Sequence, residues 1–172
     1  ALLRRSGLWK ILPLGKFAAF PPVGDMRPRR APLPALTPAQ GPRRARVGLL
    51  TGCIQDEMFR GTNRRTALAL AMNGCDVLLP SARVCCGALA SHAGEAKTAE
   101  RLAAGTMDAF SGRGLDAVVV NAAGCGSNMK EYEVQLRNDH ARREAGAIFS
   151  RTVKDASEFL VDMGLRPLTG RI

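Results

Sequence analysis

The 172-residue chain is long enough for one domain with a substantial core, and its 46% hydrophobic and 23% charged residues exclude a disordered or fibrous protein. Its formal net charge of +10 would suit a nucleic-acid-binding protein. However, residues 1–46 hold ten Lys/Arg and one acid, whereas residues 47–172 hold fifteen Lys/Arg and fourteen acids. Because the basic charge belongs to an N-terminal segment with few aromatic residues, we expect no nucleic-acid partner.

The first segment, residues 1–45, contains eight of the ten prolines. Proline at this density opposes helices and central strands, so we predict a basic, extended linker or arm, followed by one domain over 46–172. The apolar stretch 7–23 is interrupted by lysines and prolines, which argues against a membrane span and against a signal peptide. Apolar side chains of the arm, such as Trp9 and Phe17, could equally pack on a partner's surface or cover the chain's own core.

After the arm, short apolar strands alternate with helices. The strands are predicted at 45–51, 75–80 and 115–121, and the helices at about 62–73, 95–111, 126–136 and 140–163. Thr62 or Asn63 is the expected cap of the first helix, and Val153 is expected on the apolar face of the last. This order predicts an α/β fold with a Rossmann-like parallel sheet and helices on both of its faces.

Four of the five cysteines follow predicted strands. Cys53 and Cys125 come shortly after the first and third strands, and the adjacent Cys85 and Cys86 follow the second. Because the carboxyl ends of parallel strands share one edge, we expect these four thiols, here called the cysteine rim, to meet there. An odd cysteine count excludes complete disulfide pairing and favours metal or redox chemistry. Cys75 begins a strand at the opposite edge and is predicted to be a buried thiol.

The donor set of the cysteine rim is soft, which suits an iron–sulfur cluster, zinc or copper(I). Neither the Cys-x-x-Cys knuckles of structural zinc sites nor the ferredoxin cluster spacing is present. Two adjacent ligands and two distant ones favour a four-iron cluster, with zinc as the alternative. Gly87 and Gly126 are predicted to bind the cofactor, since glycine lets the backbone approach it closely and donate amides to its sulfurs.

Three segments around the cysteine rim carry a family resemblance. They are TGCIQ at 51–55, CCGAL at 85–89 with HAGE at 92–95, and VNAAGCGS at 120–127 with MKEY at 129–132. They resemble the cysteine-rich CCG domain of heterodisulfide reductase B-type subunits and, more narrowly, the iron–sulfur subunits of glycolate oxidase (glycolate dehydrogenase). Members of that family also carry two ferredoxin-type motifs and a second cysteine-rich repeat, so we interpret this sequence as a fragment.

The resemblance implies a 4Fe-4S cluster held by Cys53, Cys85, Cys86 and Cys125. It implies an electron-transfer module, a subunit of an oxidoreductase that does not itself bind substrate. Electrons would pass from a flavin-containing subunit, which oxidises glycolate to glyoxylate, towards a quinone or another acceptor. It further implies a cytoplasmic location. Whether those partners bring the chain to the inner face of the cell membrane is left open.

One position departs from the family pattern. Many such domains end their motif in Cys-x-x-Cys, whereas the third residue after Cys125 is Asn128. Four thiolates suffice for a cubane cluster, but the type of cluster stays open. Two other functions also remain open on the residues alone: a structural or partner-binding domain whose cysteines hold zinc or nothing, and a vicinal-dithiol redox enzyme.

Overall fold

The computed structural model describes residues 32–166, which form a five-stranded sheet covered by helices on both faces. The arm residues Trp9 and Phe17 lie outside the described residues. The strands are β1 (Leu36–Thr37), β2 (Ala45–Leu50), β3 (Cys75–Leu78), β4 (Ala117–Val120) and β5 (Val153–Asp155). They lie in the order β1-β3-β2-β4-β5. All neighbours pair in parallel except β1, which runs antiparallel to β3, so the predicted α/β fold is confirmed.

Eight helices connect and cover the strands within residues 32–166. They are α1 (Cys53–Met58), α2 (Arg60–Met72), α3 (Ala88–His92), α4 (Ala96–Phe110), α5 (Ala123–Lys130), α6 (Tyr132–Gln135), α7 (Arg143–Thr152) and α8 (Ala156–Met163). No helix in this part of the chain is long and apolar enough to cross a bilayer.

The strands divide the core into two layers because successive side chains of a strand point to opposite faces. Val47 and Leu49 of β2 join the layer that includes α2 and α8, whereas Leu50 joins the layer that includes α4 to α7. Gly48 lies between them on β2, where an added Cβ would meet the Phe110 ring at 2.7 Å. Glycine therefore allows the C-terminal end of α4 to lie directly on the central strand.

The predicted single helix over 140–163 is wrong, because a fourth parallel strand interrupts it. Val153 is almost fully buried and pairs with Val118, which extends the sheet by β5. Asp155 then starts α8 with a capping box: its carboxylate accepts a bond from the Ser157 amide at 2.8 Å, and Glu158 accepts one from the Asp155 amide at 3.1 Å. Pairing of β5 with β4 and the capping box at Asp155 thus outweigh the helical spacing of the apolar residues in this segment.

The start of α2 also differs from prediction. The helix begins at Arg60, and the segment expected to be a loop before Thr62 is mostly α1. Asn63 does not cap α2. It is fully buried, and its side-chain amide donates to the carbonyl oxygen of Thr51 at 2.9 Å.

The last part of the predicted arm, residues 32–45, packs on the sheet and supplies β1. Two arginines fasten it at the amino end of the parallel strands. Arg166 donates to the carbonyl oxygens of Gln40 and Pro42, at 2.6 and 2.9 Å, and Arg44 donates to that of Gly164 at 2.9 Å. Chain entering β2 and chain leaving α8 are therefore joined on the side where Cys75 begins β3.

Candidate metal centre at the carboxyl edge of the sheet

The cysteine rim lies where the strand order reverses direction. β3 lies on one side of β2 and β4 on the other, so the loops after β2 and β4 diverge and leave a crevice between them. Cys53 follows β2 as the first residue of α1, and Cys125 follows β4 inside the first turn of α5. The loop after β3 brings Cys85 and Cys86 to the same edge.

The structure groups these thiols into two contacting pairs. The sulfur atoms of Cys53 and Cys85 lie 3.5 Å apart, and the Cys86 thiol hydrogen-bonds to Cys125. All are free cysteines, and they range from the exposed Cys53 to the buried Cys86. The rim therefore extends from the solvent into the core layer of α4 to α7.

The electrostatics of the thiols follow from burial and pairing. Burial raises the pKa of Cys85 to about 11. The hydrogen bond to Cys125, together with burial, raises the pKa of Cys86, while accepting that bond lowers the pKa of Cys125. Negative charge on one of these sulfurs opposes the ionisation of its neighbours, so a bound cation would favour several thiolates at once.

The backbone around the adjacent cysteines directs amides towards sulfur. The Gly87 amide hydrogen-bonds to the Cys85 sulfur and the Ala88 amide to the Cys86 sulfur, and each bond opposes the rise in pKa. Gly87 adopts a left-handed conformation with φ of 84°, and an added Cβ would lie 3.3 Å from the carbonyl oxygen of Ala99. The turn that presents these amides therefore requires glycine at position 87.

Three buried side chains hold the carbonyl groups of the same cysteines. Thr106 donates to the Cys85 carbonyl oxygen at 3.0 Å, while Asn128 and Tyr132 donate to that of Cys86 at 2.6 and 2.8 Å. The amide oxygen of Asn128 is occupied as well, since it accepts from Gln135 at 2.6 Å. Sequence reasoning noticed Asn128 as a departure from the family pattern and Tyr132 as a part of it, but assigned no contact to either.

Side-chain amides also tie together the loops behind Cys53. Asn121, at the end of β4, donates to Asn63 at 3.0 Å and to Thr66 at 2.9 Å, and accepts from Gln55 at 3.3 Å. Asn63 in turn donates to the Thr51 carbonyl oxygen. A polar residue directly after the apolar strand β4 was the sequence signal for this network.

Gly126 and Cys75 were given different roles by the sequence, and both can now be placed relative to the cysteine rim. Gly126 is buried in α5, where an added Cβ would make only ordinary contact with Val120 at 3.8 Å, so no close approach requires glycine there. Its cofactor-binding role stays a prediction. Cys75 lies away from the rim at the start of β3, is fully buried, and directs its thiol to the Met163 sulfur at 3.7 Å.

The surroundings of the rim leave room beside its exposed pair. A cavity of about 460 Å³ opens next to Cys53 and Cys85, with Arg83 and Arg101 among its lining residues. Among residues 32–166 no group of three or more His, Cys, Asp or Glu side chains converges on one metal-ion position. The chemistry of the donor set, four cysteine thiols, fits an iron–sulfur cluster.

Comparisons with known proteins agree with this arrangement. Residues 47–130 match the family model of the CCG cysteine-rich domain. The chain is similar to the probable glycolate oxidase iron–sulfur subunit of Bacillus subtilis, with 38% identity over 94% of this chain and 37% of that protein. It is 32% identical to the glycolate oxidase iron–sulfur subunit of Escherichia coli, over 92% of this chain and 41% of that protein.

A more distant relative is lactate utilization protein A of Geobacillus thermodenitrificans, 28% identical over 69% of this chain and 48% of that protein. The chain thus spans less than half the length of these relatives. No solved structure gives a significant match. Since the matched residues 47–130 contain every cysteine of the rim, and the adjacent pair is followed by the left-handed Gly87, this part of the chain is a cysteine-rich domain of the CCG family.

Proposed function

We propose that the cysteine rim holds an iron–sulfur cluster, with Cys53, Cys85, Cys86 and Cys125 as its ligands. The observation that carries this proposal is the meeting of four thiols from three separate strand-to-helix connections at one edge of the sheet, as two contacting pairs. Thiolate ligands suit iron–sulfur clusters, and a cluster of the 4Fe-4S type takes four of them. When bound, such a cluster supplies a one-electron carrier.

The protein's own residues support this role in two ways. The amides of Gly87 and Ala88 stabilise negative charge on the Cys85 and Cys86 sulfurs, which is the form that binds metal. Burial of Cys86 excludes water from one end of the rim, whereas Cys53 leaves the other end accessible to a partner. This arrangement suits a protein that exchanges electrons with another protein while protecting its cofactor.

We further propose that the chain is part of a glycolate oxidase complex. Both relatives named as glycolate oxidase iron–sulfur subunits match more than nine-tenths of the chain, whereas lactate utilization protein A matches 69%. In this role the module receives electrons from a flavin-containing subunit that oxidises glycolate to glyoxylate and passes them to a quinone or another acceptor. The complex is cytoplasmic and reaches the inner face of the cell membrane through its partners.

Anaerobic reconstitution with iron and sulfide tests the cluster. We expect about four irons and four sulfides per chain, a broad visible absorption band and a paramagnetic signal after one-electron reduction. Cys85→Ser and Cys125→Ser should each abolish iron uptake, while Cys75→Ser, the matched control outside the rim, should retain it. Stoichiometric zinc without iron, reversible two-electron thiol oxidation without metal, or equal iron loss in all three variants would contradict the proposal.

The substrate is tested separately in the complex. The chain is co-expressed with its flavin-containing partner, and the purified assembly is mixed anaerobically with glycolate or with lactate. We expect glycolate to reduce the cluster, as seen by paramagnetic resonance, and lactate to do so more slowly. Faster reduction by lactate would assign the assembly to lactate oxidation while leaving the cluster proposal intact.

A further inference from the structure

The peptide groups of Cys85 and Cys86 are oriented from inside the protein. Each carbonyl oxygen accepts at least one hydrogen bond from a side chain of another element: Thr106 on α4 binds the first, and Asn128 on α5 and Tyr132 on α6 bind the second. The sulfurs accept amides from the other side of the same loop. Carbonyl dipoles thus point into the core while amide dipoles point to the rim.

We propose that Thr106, Asn128 and Tyr132 are positioning residues that hold the carbonyl groups of Cys85 and Cys86 away from the cofactor, so that the loop presents its amides to the sulfurs. The inference rests on the proposed iron–sulfur function. None of the three side chains is a ligand, and each acts through the backbone of a ligand.

Burial makes these hydrogen bonds selective for one loop conformation. Thr106 and Tyr132 are fully buried, and Asn128 is 5% exposed, so water does not replace a lost bond easily. If the loop turned over, the three donors and two carbonyl groups would lose their partners in a dry environment. The native peptide orientation is therefore much favoured over its reverse.

The three donors are themselves fixed in place. The Tyr132 ring stacks on Phe149, with ring centroids 5.7 Å apart and an angle of 13° between the planes. Gln135 binds the amide oxygen of Asn128, which leaves the Asn128 nitrogen directed to the Cys86 carbonyl oxygen. Both ends of the Asn128 amide are thus committed to hydrogen bonds that support the backbone of Cys86.

The consequence for a bound cluster follows from the peptide dipoles. Amides near the sulfurs stabilise the more negative, reduced cluster, whereas carbonyl oxygens in their place would destabilise it. Removing a donor should therefore lower the reduction potential and weaken cluster retention. Loss of supporting hydrogen bonds around metal ligands typically reduces metal affinity by roughly 10- to 100-fold.

The test uses Tyr132→Phe, which removes a hydroxyl group, and Thr106→Val, which replaces a hydroxyl group with a methyl group. Ser150→Ala is the matched control, because Ser150 is a buried residue of α7 whose hydroxyl donates to a carbonyl, that of Met129, outside the cysteine loop. Iron loss to a chelator, the reduction potential and amide hydrogen exchange of residues 83–90 are measured in each chain. Hydrogen exchange is also measured without metal, so it does not depend on the cluster.

We expect Tyr132→Phe and Thr106→Val to lose iron about ten to a hundred times faster, to show a lower reduction potential and to exchange faster at residues 83–90. Ser150→Ala should match the parent chain in all three measurements. Parent-like values in both hydroxyl variants, or equal changes in Ser150→Ala, would overturn the positioning role. A parent chain that binds no iron would overturn the proposed function instead, and hydrogen exchange of the metal-free chains would still decide the positioning role.

Discussion

The sulfur atoms of Cys53 and Cys85 lie 3.5 Å apart although 32 positions separate them in the sequence. A disulfide requires the sulfurs to approach to about 2 Å, a short movement for two flexible side chains. We therefore expect mild oxidation of the metal-free chain to join these two residues, with two protons and two electrons leaving to the added oxidant. Peptide mapping by mass spectrometry without reductant checks the linkage.

The same digest contains its own control. Cys75 is buried at the other end of β3 and should remain a free thiol under mild oxidation. A dominant linkage that includes Cys75, or one between Cys86 and Cys125 with Cys53 unreacted, would show that the exposed pair is not the most readily oxidised.

Gly48→Ala should destabilise the fold. The new methyl group would lie 2.7 Å from the Phe110 ring and 2.8 Å from a Leu115 methyl group, so α4 or the β4 entry must move. Overpacking of this kind costs about 1–3 kcal/mol, measurable by urea unfolding. Gly105→Ala is the control, because position 105 is inside α4 and an added Cβ meets nothing within 4 Å. That variant should gain up to about 1 kcal/mol, and equal losses in both would refute the packing argument.

Gly87→Ala should impair cofactor binding beyond its effect on stability. Position 87 is left-handed, and an added Cβ would also contact Ala99 and Leu102 of α4. Gly94 is left-handed too, with φ of 77°, but has open space around it. Both alanine variants should lose about 1–2 kcal/mol of unfolding free energy.

Iron content separates those two glycine variants. Gly87→Ala is expected to bind less iron, since the amides of Gly87 and Ala88 shift away from the sulfurs, whereas Gly94→Ala should bind as much as the parent chain. Equal iron content in the two variants would mean that the turn tolerates a side chain without moving its amides.

Acid should weaken the start of α8 through Glu158. Hydrogen bonds from Lys130 and from the Asp155 amide lower the pKa of Glu158 from 4.5 to about 2. Because the folded-state pKa is depressed, this carboxylate stabilises the fold above pH 4.5, and that contribution is lost as the pH falls from 4.5 towards 2. Between pH 4.5 and 2, Glu158→Gln should therefore lose less unfolding free energy than the parent chain. Thermal unfolding at a series of pH values measures this difference.

Glu133→Gln is the control for the acid prediction, since Glu133 is exposed and makes no ion pair among residues 32–166. Only a change in the pH dependence of stability that exceeds the change in Glu133→Gln counts as the contribution of Glu158. A Glu158→Gln curve that runs parallel to that of the parent chain from pH 4.5 to 2 would contradict the assigned role.

The sequence predicted β2, β3 and β4 because each is a continuous apolar run between helices, and their shared direction placed the cysteine rim correctly at one edge. It missed β5, since Val153-Lys154-Asp155 is a three-residue strand inside a helical spacing of apolar residues. Only pairing with β4 reveals it. Asn63 was predicted to be a cap because its real partner could not be seen in the sequence. That partner is the carbonyl oxygen of Thr51, which only the folded chain brings close to Asn63.

The supports of the adjacent cysteines were beyond sequence reasoning. Tyr132 contacts a carbonyl 46 positions earlier, and Thr106 contacts one 21 positions earlier. Because the partners are so far apart in the chain, neither hydrogen bond produces a recognisable sequence motif. A glycine directly after Cys86 was visible, and the left-handed turn explains it. The donors on the carbonyl groups appear only once α4, α5 and α6 are packed together.

The arginine contacts at the amino end of the strands identify an attachment point that lies away from the cysteine rim. Arg44 and Arg166 join residues 40–44 to residues 163–166 on the side opposite the cysteine rim. A linker fixed near either segment would turn the thiols away from the support. A film of the protein anchored there on an electrode would face its redox end towards the solution, whereas anchoring through α1 or α3 would bury that end against the surface.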